Sequence, residues 1–265
     1  MPKKLLFYIF LSLNLIINLF SYGIAGATEF DELDKPPEGA HEGQMFLGAF
    51  FSFGWPYGDY IDAETDFVKD SYYTFDNDVT KSLDVSHQSY VLGISYEYMP
   101  IDYIGATIRF NKTYIFQNTA FGSEYQNWKG ALYQDYSIYI SPTLHATNRK
   151  TWDFVLIPLL GYSFGEYHAT PVADKILTDS TNGDYSGDMK RNTSGFSYGA
   201  VLNCTIYFTG GLYISLGAEW TRKSLNLGKD FNLTNPQTSR EYSGKSSGSL
   251  DTIGIIFAAG YAFSK

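Results

Sequence analysis

The sequence predicts an all-β fold: a closed antiparallel eight-stranded up-and-down transmembrane β-barrel with four long outer loops and three short periplasmic turns. Three observations point there. Apolar and polar residues alternate with period two over most of the chain, as in Tyr90, Leu92, Ile94, Tyr96 and Tyr98 against Ser89, Val91, Gly93, Ser95 and Glu97. The alternating segments are separated by connections that switch between long and short without exception. Mean hydropathy is only −0.18, yet the chain carries 23 Tyr, 20 Phe and 4 Trp. A barrel reconciles these last two facts, because only every second strand residue has to face lipid.

At the N-terminus, Lys3 and Lys4 precede an apolar run from Leu5 to Phe20, and the stretch closes on Ala25-Gly26-Ala27. This charge, apolar core and small-residue end predict a signal peptide over 1–27, cleaved after Ala27. The apolar run is shorter than the roughly 20 residues a spanning helix requires and carries Asn14 and Asn18. Residues 28–42 are acidic and contain Pro36-Pro37, which predicts a flexible lead-in. The barrel is expected over 43–265.

Within it, alternation predicts strands at 43–54, 87–98, 103–117, 134–146, 152–166, 195–208, 212–224 and 249–263. The intervening lengths are 32, 4, 16, 5, 28, 3 and 24 residues. Long outer loops and short periplasmic turns are what an outer-membrane barrel requires, whereas a soluble sandwich has no reason to gather every long loop at one end. Pro142 and Pro158 fall inside proposed strands, where each forfeits a ladder hydrogen bond, so they mark bulges or a local misassignment.

Aromatic residues mark both strand ends. Tyr198 and Phe208 lie on the outward face of one strand, ten residues apart, which at about 3.3 Å per residue and a tilt near 40° is roughly 25 Å along the membrane normal. That matches the height of an apolar band between two girdles. Tyr98, Tyr103, Trp152, Phe208 and Phe263 are expected in the inner girdle. Phe53, Tyr90, Phe116, Tyr162, Tyr198 and Trp220 are expected in the outer one.

The stretches Ile157 to Phe164, Gly211 to Trp220 and Gly254 to Phe263 make the chain resemble the small outer-membrane barrels of the OmpA/OmpX type, within the porin-like outer-membrane β-barrel group. The likeness spans about residues 43 to 263. It is one of pattern, so it implies a fold and an outer-membrane location and no activity. Such barrels commonly end on an aromatic residue; here Ser264 and Lys265 follow Phe263.

Charge and cysteine usage narrow the function classes. The whole chain has 19 basic and 28 acidic residues, and cleavage would remove two basic ones, leaving a net charge of −11. Clustered cations for nucleic acid are not there. Cys204 is the single cysteine, so no intrachain disulfide can form. His41, His87, His145 and His168 are scattered without metal-ligand spacing. Ser163, Glu166 and His168 invite comparison with a hydrolase triad, but no G-x-S-x-G motif accompanies them. The first outer loop, 55–86, holds eight acidic residues against Lys69 and Lys81. It reads more readily as a solvated acidic surface than as a cation site bridging lipopolysaccharide phosphates. No cofactor, metal or catalytic residue is expected.

The inward phase sends three charges into the lumen: Glu97, Arg109 and Glu219. Lone buried charges are costly, and one guanidinium can serve two carboxylates, so Arg109 is expected to bridge Glu97 and Glu219 as a structural plug. The expected role is a non-enzymatic surface protein. It would contact outer-membrane lipid and lipopolysaccharide, and its outer loops would bind an extracellular partner or protect the envelope. A small-solute pore is one alternative, although eight strands leave a lumen that side chains fill, with Tyr139, Tyr207 and Tyr213 expected inside. A lipid-modifying enzyme is the other.

Overall fold

The structure is a computed structural model that describes residues 40–62, 65, 83–121, 128–147, 151–168, 190–226, 231–234, 241–244 and 247–263. The expected signal peptide, most of the lead-in, most of the first outer loop and the terminal Ser264-Lys265 lie outside these residues.

The strands are β1 (Met45–Tyr57), β2 (Leu83–Ile101), β3 (Ile104–Phe121), β4 (Trp128–His145), β5 (Trp152–His168), β6 (Lys190–Tyr207), β7 (Leu212–Asn226), β8 (Phe231–Thr234), β9 (Glu241–Gly244) and β10 (Ser247–Phe263). Eight of them close a barrel in the order β1-β10-β7-β6-β5-β4-β3-β2, all antiparallel neighbours in chain order. The first and last strands pair along their length, from Met45↔Phe263 to Tyr57↔Asp251, so the wall has no open edge. Strands β8 and β9 form a separate hairpin in the fourth outer loop, which the alternation did not foretell.

Each predicted strand is present, and its inner end is placed within three residues. The outer ends run further than expected; β4 begins at Trp128 and not at 134, and β6 at Lys190 and not at 195. Above the membrane neither face needs to be apolar, so the alternation fades while the backbone ladder continues.

The polarity is inside out relative to a soluble protein. Leu156, Leu160, Leu202, Ile206, Ile214, Leu216, Ile255 and Phe257 face outward and are exposed. Ser137, Ser141, Thr143, Ser163, Thr205 and Ser215 face inward and are buried. A closed wall with an apolar exterior and hydrogen-bonded backbone is stable only with hydrocarbon around it. The chain is an integral outer-membrane barrel.

One detail corrects the sequence reading, and another describes the residues next to β1. Tyr103 belongs to the turn between β2 and β3, in the left-handed region at φ 68°, and not to a strand. The lead-in is anchored where it meets the barrel: Ala40 is fully buried, Glu42 N donates to Asp102 Oδ1 at 2.8 Å, and Gly43 N to the Met99 carbonyl at 2.8 Å.

The two prolines are neither bulges nor misassignments. The β4–β5 ladder stops after Tyr139↔Gly161 and resumes in the same register at Leu144↔Leu156. Pro142 therefore lies directly opposite Pro158. The β3–β4 ladder runs unbroken through Ala106↔Pro142, and β5–β6 through Pro158↔Ala200. Both prolines thus turn the edge without an N–H toward each other, and both cross-strand bonds of that pair are missing.

Candidate functional site: the lumen and its two mouths

Inward parity brings acidic, basic and imidazole side chains from five strands, β2, β3, β4, β5 and β7, into the lumen. Arg109 of β3 is 2% exposed and Glu219 of β7 is 5% exposed, with Nη2 3.4 Å from Oε2. The guanidinium carbon sits 4.1 Å from the centre of the Phe50 ring, which adds a cation–π contact in a desolvated place. Arg109 Nη1 has no partner.

Glu97 does not join this pair. Its Oε1 lies 2.9 Å from His145 Nε2, and His145 Nδ1 lies 2.6 Å from Asp153 Oδ2. The expected three-residue bridge is thus replaced by two separate clusters. The reason is position: Glu97 stands two residues before the inner mouth residue Met99, next to His145 at the periplasmic end of β4, whereas Arg109 is paired with Ser95 and Tyr139 further up the wall.

A third cluster was not foreseen. Lys223 Nζ of β7 donates to Asp135 Oδ2 of β4 and, at 2.9 Å, to Thr113 Oγ1 of β3. Tyr133 donates its hydroxyl to the same Asp135 carboxylate at 2.6 Å. The parity that places Tyr139 inside also places Asp135 inside, and the parity that places Glu219 inside also places Lys223 inside, so a signal existed for each face; nothing signalled that the two meet across the lumen.

Between these polar groups lies an apolar layer of Phe50, Val155, Ile157, Leu159, Val201 and Ile256, with Tyr139 at its edge. Tyr139 reaches across β5 to share a 2.6 Å hydrogen bond with Ser197.

Both mouths are filled. At the periplasmic end, Ala40, Phe46, Met99, Tyr207 and Tyr213 pack as one cluster, with the Phe46 ring 5.9 Å from that of Tyr213. At the outer end, Gly58 turns the chain at φ 110°, a value that favours glycine. The turn lays Tyr60 and Ile61 inward, both buried. The Tyr60 ring is 5.3 Å from Tyr167, and Asp59 Oδ2 accepts from Ser249 N at 3.0 Å. Burial, with Asp59 alongside, pushes the Tyr60 phenol up to about 12.

The aromatic residues assigned to girdles all carry outward parity apart from turn residue Tyr103. Phe53 meets Tyr90 at 5.4 Å and Tyr90 meets Phe116 at 5.8 Å between ring centres. Tyr198 meets Trp220 at 6.0 Å. Trp220 Nε1 then donates to Tyr57 across β10 at 3.0 Å. Trp55, Tyr136, Phe164 and Phe196 extend this outer band and were not singled out from sequence. At the inner end Trp152 packs on Phe154 and Phe263 on Tyr261.

The hydrolase constellation does not assemble. Ser163 points inward and bonds Ser137 at 2.7 Å, while Glu166 points outward and bonds Gln134 at 2.9 Å. Three residues apart on one strand, they occupy opposite faces. Among the described residues no group of His, Cys, Asp and Glu is arranged to hold a metal ion.

No protein-family model and no curated protein matches the chain. Solved structures similar in architecture include the outer membrane protein OprG from Pseudomonas aeruginosa, at 10% identity and a TM-score of 0.44, covering 86% of this chain and 99% of that one. The attachment invasion locus protein Ail of Yersinia pestis aligns at 12% identity and a TM-score of 0.41, covering 84% and 99%. The N-terminal β-barrel domain of Pseudomonas aeruginosa OprF aligns at 8% and 0.36, covering 82% and 98%.

Proposed function

We propose that this protein is a non-conducting, non-enzymatic surface barrel whose extramembrane loops bind a partner outside the cell. The observation that carries this reading is the sealed lumen. Tyr60 and Ile61 fill the outer mouth, the Ala40–Phe46–Tyr207–Tyr213 cluster fills the inner one, and side chains occupy the space between. With side chains of the described residues occupying both mouths, chemistry toward the outside would reside in the connections, which a rigid wall holds in place.

Two measurements test it. In planar bilayers the full protein should give no stable conductance step; a reproducible step would move the assignment to the pore alternative. Cells carrying the protein with 167–194 or 225–248 replaced by short Gly-Ser turns should lose binding to host-cell or matrix surfaces that the intact protein confers. Equal binding by every loop variant would sink the loop reading. A mass shift in lipid A on expression would favour the lipid-modifying alternative.

A further inference from the structure

At the inner mouth a histidine is held from both sides. His145 Nδ1 lies 2.6 Å from Asp153 Oδ2, and Nε2 lies 2.9 Å from Glu97 Oε1. A neutral imidazole carries one N–H, so one of these contacts would set a lone pair against a carboxylate oxygen. Only the imidazolium supplies two donors, and the geometry therefore requires the doubly protonated ring.

The two carboxylates are not held equally. Asp153 is fully buried, and its second oxygen accepts from Thr147 N at 2.9 Å and Thr147 Oγ1 at 3.1 Å, which ties it into the turn after β4. Glu97 is 13% exposed, and among the described residues His145 is the hydrogen-bond partner of its carboxylate. It reaches the ring by crossing β3 over Gly105, where a Cβ would overlap the carboxylate and come within 3.0 Å of Met99 Sδ. Glu97 and Met99 thus share one slot. When the ring gives up a proton, the N–H that remains stays with the shorter, buried Asp153 contact, and Glu97 is the partner released.

This clamp supports the chain that enters the barrel. The Phe46 ring stacks on His145 at 6.2 Å, and Phe46 and Met99 belong to the cluster in which Ala40 is buried against Tyr207 and Tyr213. Met99 also holds the entering backbone: its carbonyl accepts from Gly43 N at 2.8 Å, and its N donates to the Gln44 carbonyl at 2.9 Å. Residues 40–44 therefore run from β2 toward β6 and β7 as a strap over the mouth. Its two supports, Phe46 and Met99, each rest on a member of the clamp. Among the described residues the other strands bring no cation to the ring. The phenols of Tyr207 and Tyr213 come from β6 and β7, and β1, β3 and β10 contribute Phe46, Gly105 and Ala262. His41 stands at the rim beside Asp102, 3.8 Å away.

We infer that His145 is a proton-operated latch: doubly protonated, it clamps Glu97 and Asp153 and keeps the 40–44 strap seated, and loss of one proton frees Glu97 and unseats the strap. The sign follows from the charges. One imidazolium offsets one of the two carboxylates; without it both negative charges face a neutral ring, and one is left buried without a donor. The strap is held in acid and neutral medium and released as the pH rises. The apolar layer further up stays in place, so release opens no path through the barrel, and the latch stands or falls separately from the loop reading above.

The test uses the full protein refolded in nanodiscs, which leave both faces in water. A nitroxide is attached at Glu42→Cys, an exposed position on the strap, in a Cys204→Ser background, and spectra are recorded at pH 6 and pH 9. The label should be immobilised at pH 6 and gain at least fivefold in mobile component at pH 9, reversibly. His145→Gln offers one donor and one acceptor, as the neutral ring does, and should be mobile at both values. Glu97→Gln keeps the shape and donates its amide to the neutral ring, so it should be immobilised at both. His41→Gln, Tyr207→Phe and Tyr213→Phe should keep the transition, and heat-modifiable migration on gels checks that each variant is folded.

If His145→Gln does not assemble, the near-isosteric Glu97→Gln still decides. A spectrum unchanged between pH 6 and pH 9 in the intact protein overturns the inference. So does a transition that survives in His145→Gln or Glu97→Gln, or one abolished by His41→Gln, Tyr207→Phe or Tyr213→Phe.

Discussion

Replacing Arg109 by alanine gives the sharpest measure of how the lumen is held together. Arg109 and Glu219 are both nearly inaccessible, with their charged atoms 3.4 Å apart. At that distance the gross attraction is about 5 kcal/mol for an effective dielectric constant near 20. Burial removes most of the hydration that would otherwise compensate for its loss. Breaking a buried pair by deleting one partner typically costs about 3–5 kcal/mol, because the other charge stays behind unpaired. The Phe50 contact, at 4.1 Å, is lost as well. With a urea slope of about 2 kcal/mol per molar, a loss of 3 kcal/mol moves the unfolding midpoint down by about 1.5 M. The assay is urea unfolding of the refolded barrel, followed by tryptophan fluorescence. Glu219→Gln keeps the shape and removes the charge, so it should cost less, and the double variant should cost clearly less than the two single changes added together. Glu97→Gln provides the contrast. Its carboxylate serves His145, so Glu97→Gln should couple to Arg109→Ala clearly less than Glu219→Gln does. A midpoint unchanged by Arg109→Ala would refute the buried-pair reasoning. Strong coupling between Arg109 and Glu97 would refute the arrangement of two separate clusters.

Three further outcomes are expected. Protease applied to intact cells should cut within 55–86, 167–194 or 225–248 and spare Asn148-Arg149-Lys150; cleavage at Arg149 or Lys150 in sealed cells would invert the topology. Cys204 is exposed on the outward face of β6, so in a bilayer it should resist water-soluble maleimides until the protein is heat-denatured; rapid labelling before heating would place it in water. Tyr60→Ala combined with Phe46→Ala removes a side chain from each mouth and should produce a conductance step in planar bilayers that neither the intact protein nor either single variant gives, and silence from the double variant would show that the central layer alone seals the barrel.

The barrel was legible because its signal is local and repeated. The alternation in 89–98 and 196–208 is decided by which face of each strand meets lipid, and lipid makes the same demand at every outward position. The same rule sent Tyr139, Tyr207 and Tyr213 inward and Cys204 outward. It weakened where that demand stops, so β4 and β6 were drawn short at their outer ends, and the β8–β9 hairpin, lying beyond the membrane, left no trace in the pattern.

What a residue meets after it has turned inward is another matter. Parity gives the face but not the height or the angle around the axis; those follow from the shear and tilt that closing eight strands imposes. Closure put Lys223 of β7 against Asp135 of β4, two strands that never pair, and gave Glu97 to His145 and not to Arg109. It also set Pro142 opposite Pro158, two separate oddities in the sequence that become one seam only once the β4–β5 register is known. Sequence by itself determined the strands, their faces and the side of the membrane each loop lies on, because each of those depends on a residue's own environment. The tertiary structure alone decided the lumen partners, the filled mouths and the seam, because each depends on the distance between residues that only a closed wall brings together.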